Sequence, residues 1–328
     1  MTRRIGIAFL IFGALLANAA AALAPTTWAM ATDYPQDSMP GQGLTTFAQR
    51  LAADSGGRLN AAPAFDGTAG FKAGDVLAAI SNGKIPGADV FGGVAGEHDP
   101  LLLLPSLPFV TSSVGDARRL LGIARPNYEA AFERMGLELL YVTPWPPSGI
   151  WAKAPISTPG DLRGLRIRTY DATSQAVMNA LGAQATSLSF GEAMPLIKAG
   201  SIDAVLSSGD GGAGRKLWEY FPVYTKLEYA FPLSFTVLSK TTWDALDPDL
   251  RRAVNQAAIE TQAAQWTTIE TRLASNEATM RANGVTIVGD VSGELRHRAS
   301  EAAVAAVESW KMRTGADGRA ILAKYGAP

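Results

Sequence analysis

Three arginines fall within six positions of the stretch GDLRGLRIRTY, residues 160–170. A guanidinium is well suited to gripping a carboxylate, because its planar fork offers two parallel hydrogen bonds. If LRIRTY is a strand, Arg166, Arg168 and Tyr170 share one face, and Leu165, Ile167 and Thr169 share the other. Arg163 precedes Gly164 outside that strand, where a solvated charge is the default. Open α/β sheets bind ligands at the carboxyl ends of their strands, so Arg168 is better placed for a ligand than Arg166. An ordinary exposed arginine fits the same pattern.

Other reactive patterns are weak. GDGGAGRK at 209–216 resembles a phosphate loop only superficially. A Walker loop needs Lys directly after the last Gly and then Ser or Thr, whereas Arg215 follows Gly214 and Leu217 follows Lys216. A flexible turn entering a short helix is expected there. The chain has two histidines, His98 and His297, and no G-x-S-x-G elbow, so a Ser/His/Asp hydrolase has little to build on. His98, in GEHDP after a strand, is the one candidate base and reads better as a surface loop residue. Asp33 and Glu97 both follow strands but do not form an evident carboxylate pair of the glycosidase kind. With no cysteine and no H-x-x-H arrangement, a metal site would need carboxylates alone. No cofactor is implied.

Such side chains need a scaffold, and 328 residues allow one large domain or two of about 150. Residues 1–24, MTRRIGIAFLIFGALLANAAAALA, have two early arginines, an apolar run from Ile5 to Leu16 and an alanine-rich end. They read as a signal peptide, which implies export to a periplasm. The apolar run is shorter than the roughly 20 residues of a bilayer span. A net charge of −1 gives no basic stripe for nucleic acid, so small molecules or proteins are the expected partners.

From Thr27 onward, strand-like and helical patterns alternate. TTWAMATDY, LNAAPAF and ADVFGG read as strands. A helix carrying Leu44, Phe47 and Leu51 lies between the first two, and one carrying Val76, Leu77 and Ile80 precedes the third. A second round has strands LELLYVTPW, SGIWAK, LRIRTY, QATSLS and SIDAVLSS, with helices TSQAVMNALGA and FGEAMPLIKAG between them. This alternation predicts an α/β fold with mostly parallel strands. AISNGKIPGADVFGG and LIKAGSIDAVLSS echo each other as helix, Gly, Ile and an Asp-containing buried strand, which suits two similar lobes better than one sheet. From Asp247 to Ala282 a helical pattern places Leu250, Val254, Ala257 or Ala258, Thr261 and Gln265 on one side. About 36 residues would make a rod on the order of 54 Å, long enough to span both lobes, unless a kink near Trp266 to Thr268 divides it.

The segment PISTPGDLRGLRIRTYDATSQAVMNALGAQATSLSFGEAMPLIKAGSIDAVLSS resembles the substrate-binding proteins of TRAP transporters, the tripartite ATP-independent periplasmic systems, in the dicarboxylate-binding-protein-like family. LPSLPFV and LSKTTWDALDPDLRRAV are also in that family's style, so the resemblance covers nearly the whole chain after the leader. It implies a two-lobed periplasmic-binding-protein fold with crossover strands and one long helix backing both lobes. The lobes would be 25–147 plus 234–275 and 148–233 plus 276–328. It further implies a protein that performs no chemistry. It would capture a small organic acid by hinge closure and deliver it to the small and large membrane subunits of a permease. A ligand-presenting sensor component, and an exported hydrolase or isomerase, are the competing readings. Monomer and dimer both remain open.

Carried over position by position, the resemblance puts the carboxylate-clamping arginine at Arg168 and a ligand-packing aromatic at Phe190. Ser207 stands where many members have Asn, and Ser148 where sialic-acid-binding members have a second arginine. Around the expected cleft it adds Phe91 and Gly92, Trp145 and Trp151, Tyr170 and Trp218. One strong cation among aromatics and serines implies a monocarboxylate with an apolar or aromatic body, or a small hydroxy or oxo acid.

Overall fold

The computed structural model describes residues 24–326. The expected signal peptide, except for Ala24, lies outside the described residues. Eleven strands are described in chain order: β1 (Thr26–Ala31), β2 (Leu59–Ala64), β3 (Gly87–Phe91), β4 (Leu137–Pro144), β5 (Ser148–Ala152), β6 (Arg166–Thr169), β7 (Gln184–Ser187), β8 (Ala204–Ser208), β9 (Val223–Thr225), β10 (Leu233–Ser239) and β11 (Thr286–Val288). They form two sheets, one in the order β2-β1-β3-β10-β4 and the other in the order β11-β9-β5-β8-β6-β7. Helices pack against both, the arrangement expected of strands that alternate with amphipathic helices.

Each sheet is parallel except for one strand that arrives from the other lobe. β10 is antiparallel to β3 and β4, and β5 is antiparallel to β8 and β9. Between the sheets the two crossing segments hydrogen-bond to each other. Trp145 N donates to Pro232 O at 2.9 Å, Ser148 N to Ala230 O at 2.9 Å, and Tyr229 N to Ser148 O at 2.9 Å. The result is a two-stranded ribbon joining the lobes, in which backbone groups leaving one sheet find partners before entering the next.

The helix Met39–Asp54 starts at Ser38, whose Oγ accepts from Gly41 N, and buries Leu44, Phe47 and Leu51 against the first sheet. The chain then turns through Gly56 and Gly57, both at positive φ, which glycine adopts without a Cβ clash. The helix Pro248–Ala282 is continuous over 35 residues, with Asp247 as N-cap and Pro248 at the first turn, where its missing N–H costs nothing. No kink divides it at Trp266. Its N-terminal half buries Val254, Ala257 and Ala258 in the core of the first lobe, and Met280 joins the core of the second. The last helix, Gly293–Tyr325, also serves both lobes. Leu295 and Ala299 enter the second core. Beyond them Trp310, Ile321, Leu322 and Tyr325 enter the first, with the chain bending at Gly315.

The glycine-rich stretch differs from expectation. Gly209–Gly214 is itself a short helix, capped by Ser208 Oγ accepting from Gly211 N. Glycine disfavours helix in isolation, but here it permits close approach: a Cβ on Gly212 would meet the Trp151 indole at 2.2 Å. The first turn of this helix carries Asp210, whose side chain is 0% exposed. Its Oδ2 accepts from Met39 N at 2.9 Å, and its Oδ1 accepts from Asn276 Nδ2 at 3.3 Å and pairs with Arg272. Arg272 also donates to Asp37 O. One carboxylate therefore ties the second lobe to the first turn of a first-lobe helix and to the long helix.

Removing that carboxylate strands a guanidinium and a helix-start N–H. Asp210→Ala is expected to destabilise the protein by about 3–5 kcal/mol, and Asp210→Asn by less, since an amide oxygen still accepts from Met39 N. Denaturant melts of the two variants measure this.

Candidate functional site

A cavity lies where the two sheets face each other. It has two compartments that share Tyr34, Phe91, Arg168, Tyr170 and Phe190. The larger has about 620 Å³ of space between its lining atoms, counting its opening to solvent, and reaches Thr32 and Asp33 just past β1 and Asp89 within β3. The other is bounded by Trp145, Ser148, Ser207 and Pro232 at the crossing ribbon.

The three arginines separate cleanly. Arg163 is exposed. Arg166, at the start of β6, is also exposed and makes a fork-like pair with Asp203, its Nε and Nη2 each 2.7 Å from a carboxylate oxygen. Arg168, two residues further along the same face, is 4% exposed and lines both compartments. Its Nε donates to Leu188 O at 2.8 Å and its Nη1 to Leu206 O at 3.3 Å, while the guanidinium lies 4.2 Å from the centre of the Phe190 ring. Two carbonyls and a ring face hold the group in place, yet no described carboxylate comes within ion-pair distance of it. Burial lowers its pKa to about 10, and an arginine so placed remains a cation at neutral pH.

Several strand ends contribute. Phe190 opens the helix Phe190–Lys198, whose N-cap Ser189 and residue Glu192 form a reciprocal capping box that fixes the ring's position. β8 ends in Ser207 and Ser208, and β5 begins with Ser148 opposite Ser208. Phe91, at the end of β3, packs edge-on against Tyr170 across the lobes at 5.3 Å, and Trp145 packs edge-on against Tyr34 at 4.6 Å. The indole of Trp145 donates to Ser234 Oγ at 3.0 Å, so its ring orientation is set from behind.

Arg168, Phe190, Ser207, Ser148, Tyr170, Trp145 and Phe91 are thus brought to one cavity. Trp151, Trp218 and Gly92 are not. Trp151 is 0% exposed in the second-lobe core, where its Nε1 donates to Ser208 O at 3.3 Å and its ring stacks near Tyr224. Outward alternation along β5 sends it to the helical layer rather than the cleft. Trp218 packs partly buried on that same core. Gly92 is enclosed by Leu233 O, Leu102 O and Phe235, a close backbone approach rather than a cavity wall.

Tyr34, Asp89 and Arg215 also belong to the cleft, beyond the residues expected from the sequence. Tyr34 directly follows β1, so the rule that favours strand carboxyl ends pointed to it. Arg215 reaches across from the second lobe, pairing with Asp66 at 3.1 Å and donating to Asp33 O. Asp89 is a lone acid inside the otherwise apolar strand ADVF, and it is buried at 4% exposure. Its Oδ2 accepts from Thr32 Oγ1 at 3.3 Å. Burial raises its pKa to about 8; the hydroxyls of Thr32 and Ser234 oppose the rise and Asp33 adds to it. Asp171, the N-cap of the helix Ala172–Ala180, is raised to about 6, again by burial.

The profile of the bacterial extracellular solute-binding proteins of family 7 matches residues 30–311. The 2,3-diketo-L-gulonate-binding periplasmic protein YiaO of Escherichia coli strain K12 is 26% identical over 168 residues, 49% of this chain and 50% of that protein. The chain thus aligns with about half the length of that relative. A solute-binding protein of Chromohalobacter salexigens is 24% identical over 243 residues, 71% of each chain. Among solved structures, two Bordetella pertussis extracytoplasmic solute receptors that bind pyroglutamic acid superpose with TM-scores of 0.87 (DctP6) and 0.88 (DctP7). They are 26% and 27% identical, and each alignment covers 92% of this chain and 99% of the receptor.

Asp89 makes stability depend on pH. Its native pKa lies above the unfolded value, so the native state holds the proton that the unfolded state releases. Stability from this group is full below about pH 4 and is lost as pH rises toward about 8. Asp89→Asn is expected to gain stability over the native protein as pH rises from 5 to 8, by at most about 1.4 kcal/mol per pH unit. Thermal melts across that range measure it.

Proposed function

Because the chain belongs to the bacterial extracellular solute-binding proteins of family 7, we propose that it captures a compact monocarboxylate in the periplasm and hands it to a TRAP-type membrane permease. The single observation that carries the ligand class is the buried Arg168. It is the one cation on the cavity wall among the described residues, and its remaining hydrogen-bonding capacity faces the cavity. Its companions in the compartment beside the crossing ribbon are aromatic rings and short hydroxyl side chains, which suits a small acid better than a dianion or an extended sugar acid. The likeness to two pyroglutamate receptors makes pyroglutamate the first candidate to offer it.

Binding proceeds without bond making. With the lobes apart, the Arg168 guanidinium is hydrated. A carboxylate takes the place of that water in a fork-like pair, Phe190 covers the guanidinium from one side, and the hydroxyls of Ser148 and Ser207 offer further hydrogen bonds. Closing the lobes removes solvent, and the lower local dielectric strengthens the pair. The lobes move as the two units that carry the two sheets, about the ribbon of 145–148 and 229–232, while the two long helices keep them joined.

Arg215 holds the closed form from the rim. Its contacts to Asp33 O and Asp66 run between lobes and can form only when these are together. Partly exposed ion pairs contribute little each, so Arg215→Ala is expected to weaken binding only about three- to tenfold, mainly through a faster off-rate. Stopped-flow displacement resolves that.

Arg168→Ala would leave the ligand's charge buried and unpaired. A loss of about 3–5 kcal/mol is expected, on the order of a hundred- to several-thousand-fold in affinity. Arg168→Lys should recover part of it. A thermal-shift screen of organic acids with the native protein and Arg168→Ala in parallel tests the assignment. A carboxylate that stabilises both proteins equally would remove Arg168 from the site.

A further inference from the structure

The carboxylate end of the cavity is served by Arg168, but its other end is not apolar. Asp89 projects from β3 into the same compartment that Arg168 lines, and no described cation pairs with it. One of its oxygens, Oδ1, is buried without a hydrogen-bond partner, while Oδ2 has the Thr32 hydroxyl. The ionisable groups around it are Asp33 and Tyr34 from the segment after β1 and Tyr141 from β4. None of these is a cation, and Asp33 adds like charge; the hydroxyls of Thr32 and Ser234 favour the ionised form, and burial outweighs them.

A neutral carboxylic acid presents one O–H donor and one carbonyl acceptor side by side. That pattern is complementary to a cis secondary amide, whose C=O and N–H also point the same way, as they must in a small lactam ring. We propose that Asp89, as the neutral acid, is the specificity residue of this site and reads the ring amide of a ligand whose carboxylate is held by Arg168. Its O–H donates to the ring carbonyl and its free oxygen accepts from the ring N–H. Arg168 and Asp89 then select a lactam carboxylate over an amino acid, whose ammonium would require ionised Asp89, and over plain cyclic acids, which would leave the acid unpaired. This inference rests on the monocarboxylate reading of the cavity. Burial, which holds the pKa of Asp89 near 8, agrees with it.

The test uses the mature full-length protein, calorimetric titration from pH 6 to 9.5, and three probes: pyroglutamate, its oxygen analogue 5-oxotetrahydrofuran-2-carboxylate, and proline. Native protein, Asp89→Asn, Asp89→Ala and Arg168→Ala are compared, with circular dichroism to establish that each is folded. Pyroglutamate is expected to bind at least thirtyfold more tightly than the lactone, which lacks the N–H. Its affinity should fall above about pH 8, approaching tenfold per pH unit. Asp89→Ala should lose about a hundredfold. Asp89→Asn, whose amide offers the same donor and acceptor without titrating, should recover most of that loss and remove the pH dependence. Equal binding of lactam and lactone, a flat pH profile in the native protein, or tighter binding of proline with rising pH would each overturn the proposal for Asp89. If such a result comes with Arg168-dependent binding of any carboxylate, the monocarboxylate reading survives. If no carboxylate binds in an Arg168-dependent way, that reading fails first.

Discussion

A guanidinium held away from water without a carboxylate beside it is costly, and much of the cleft's construction can be understood from how Arg168 is kept there. Two backbone carbonyls, from Leu188 and Leu206, take two of its donors, and the face of Phe190 covers it. Both carbonyls belong to the segments flanking β6: Leu188 follows β7, and Leu206 lies in β8. Their positions are set by the parallel pairing of Arg168 with Thr186 and Val205. The sheet therefore preorganises the cation before any ligand arrives. No described carboxylate pairs with the cation: Asp203 is taken by Arg166 and Asp210 by Arg272. A partly satisfied cation is the form in which a binding site stores affinity for an anion.

The two-lobed layout serves that arrangement. Each sheet receives one antiparallel strand from the other lobe, so the crossing ribbon is woven into both sheets and brings Trp145 and Ser148 to the cavity's floor. The interlobe contacts differ in burial and so in role. Asp210 is fully enclosed with Arg272 and Met39 N near the long helix, a fixed joint whose loss would expose unsatisfied groups. Arg215 sits at the rim with one partly exposed acid and one carbonyl, a contact that can open at low cost. Rigid where the lobes are joined and weakly fastened where they part, the molecule suits hinge motion.

Much of the scaffold was legible because its physical signals are local. Hydrophobic spacing marked Leu44, Phe47 and Leu51 as one helix face, and the unbroken period from Leu250 to Gln265 marked the long helix. Alternation in LRIRTY puts Arg166 and Arg168 on one face, and the rule for strand carboxyl ends favours Arg168 of the two. At 209–214 intrinsic propensity favours a turn, and the structure has a glycine helix instead. What decides it is that only residues without Cβ fit against Trp151. Trp151 itself could not be assigned from the chain, since a tryptophan in a strand between two sheets can face either layer, and the register of β5 alone selects one.

By itself the sequence determined the α/β class, the family, the long spanning helix and the arginine that faces the cleft, since periodicity, strand direction and linear motifs carry that information without long-range contacts. Only the tertiary structure decided which aromatics enclose the cavity and which fill the core. It alone also brought Asp89, Tyr34 and Arg215 to the same cleft as Arg168 from distant parts of the chain. Burial and the pairing of charges depend on what comes to lie nearby in space. For Asp89, a single acid in a strand, that neighbourhood raises the pKa of an ordinary carboxylate to about 8.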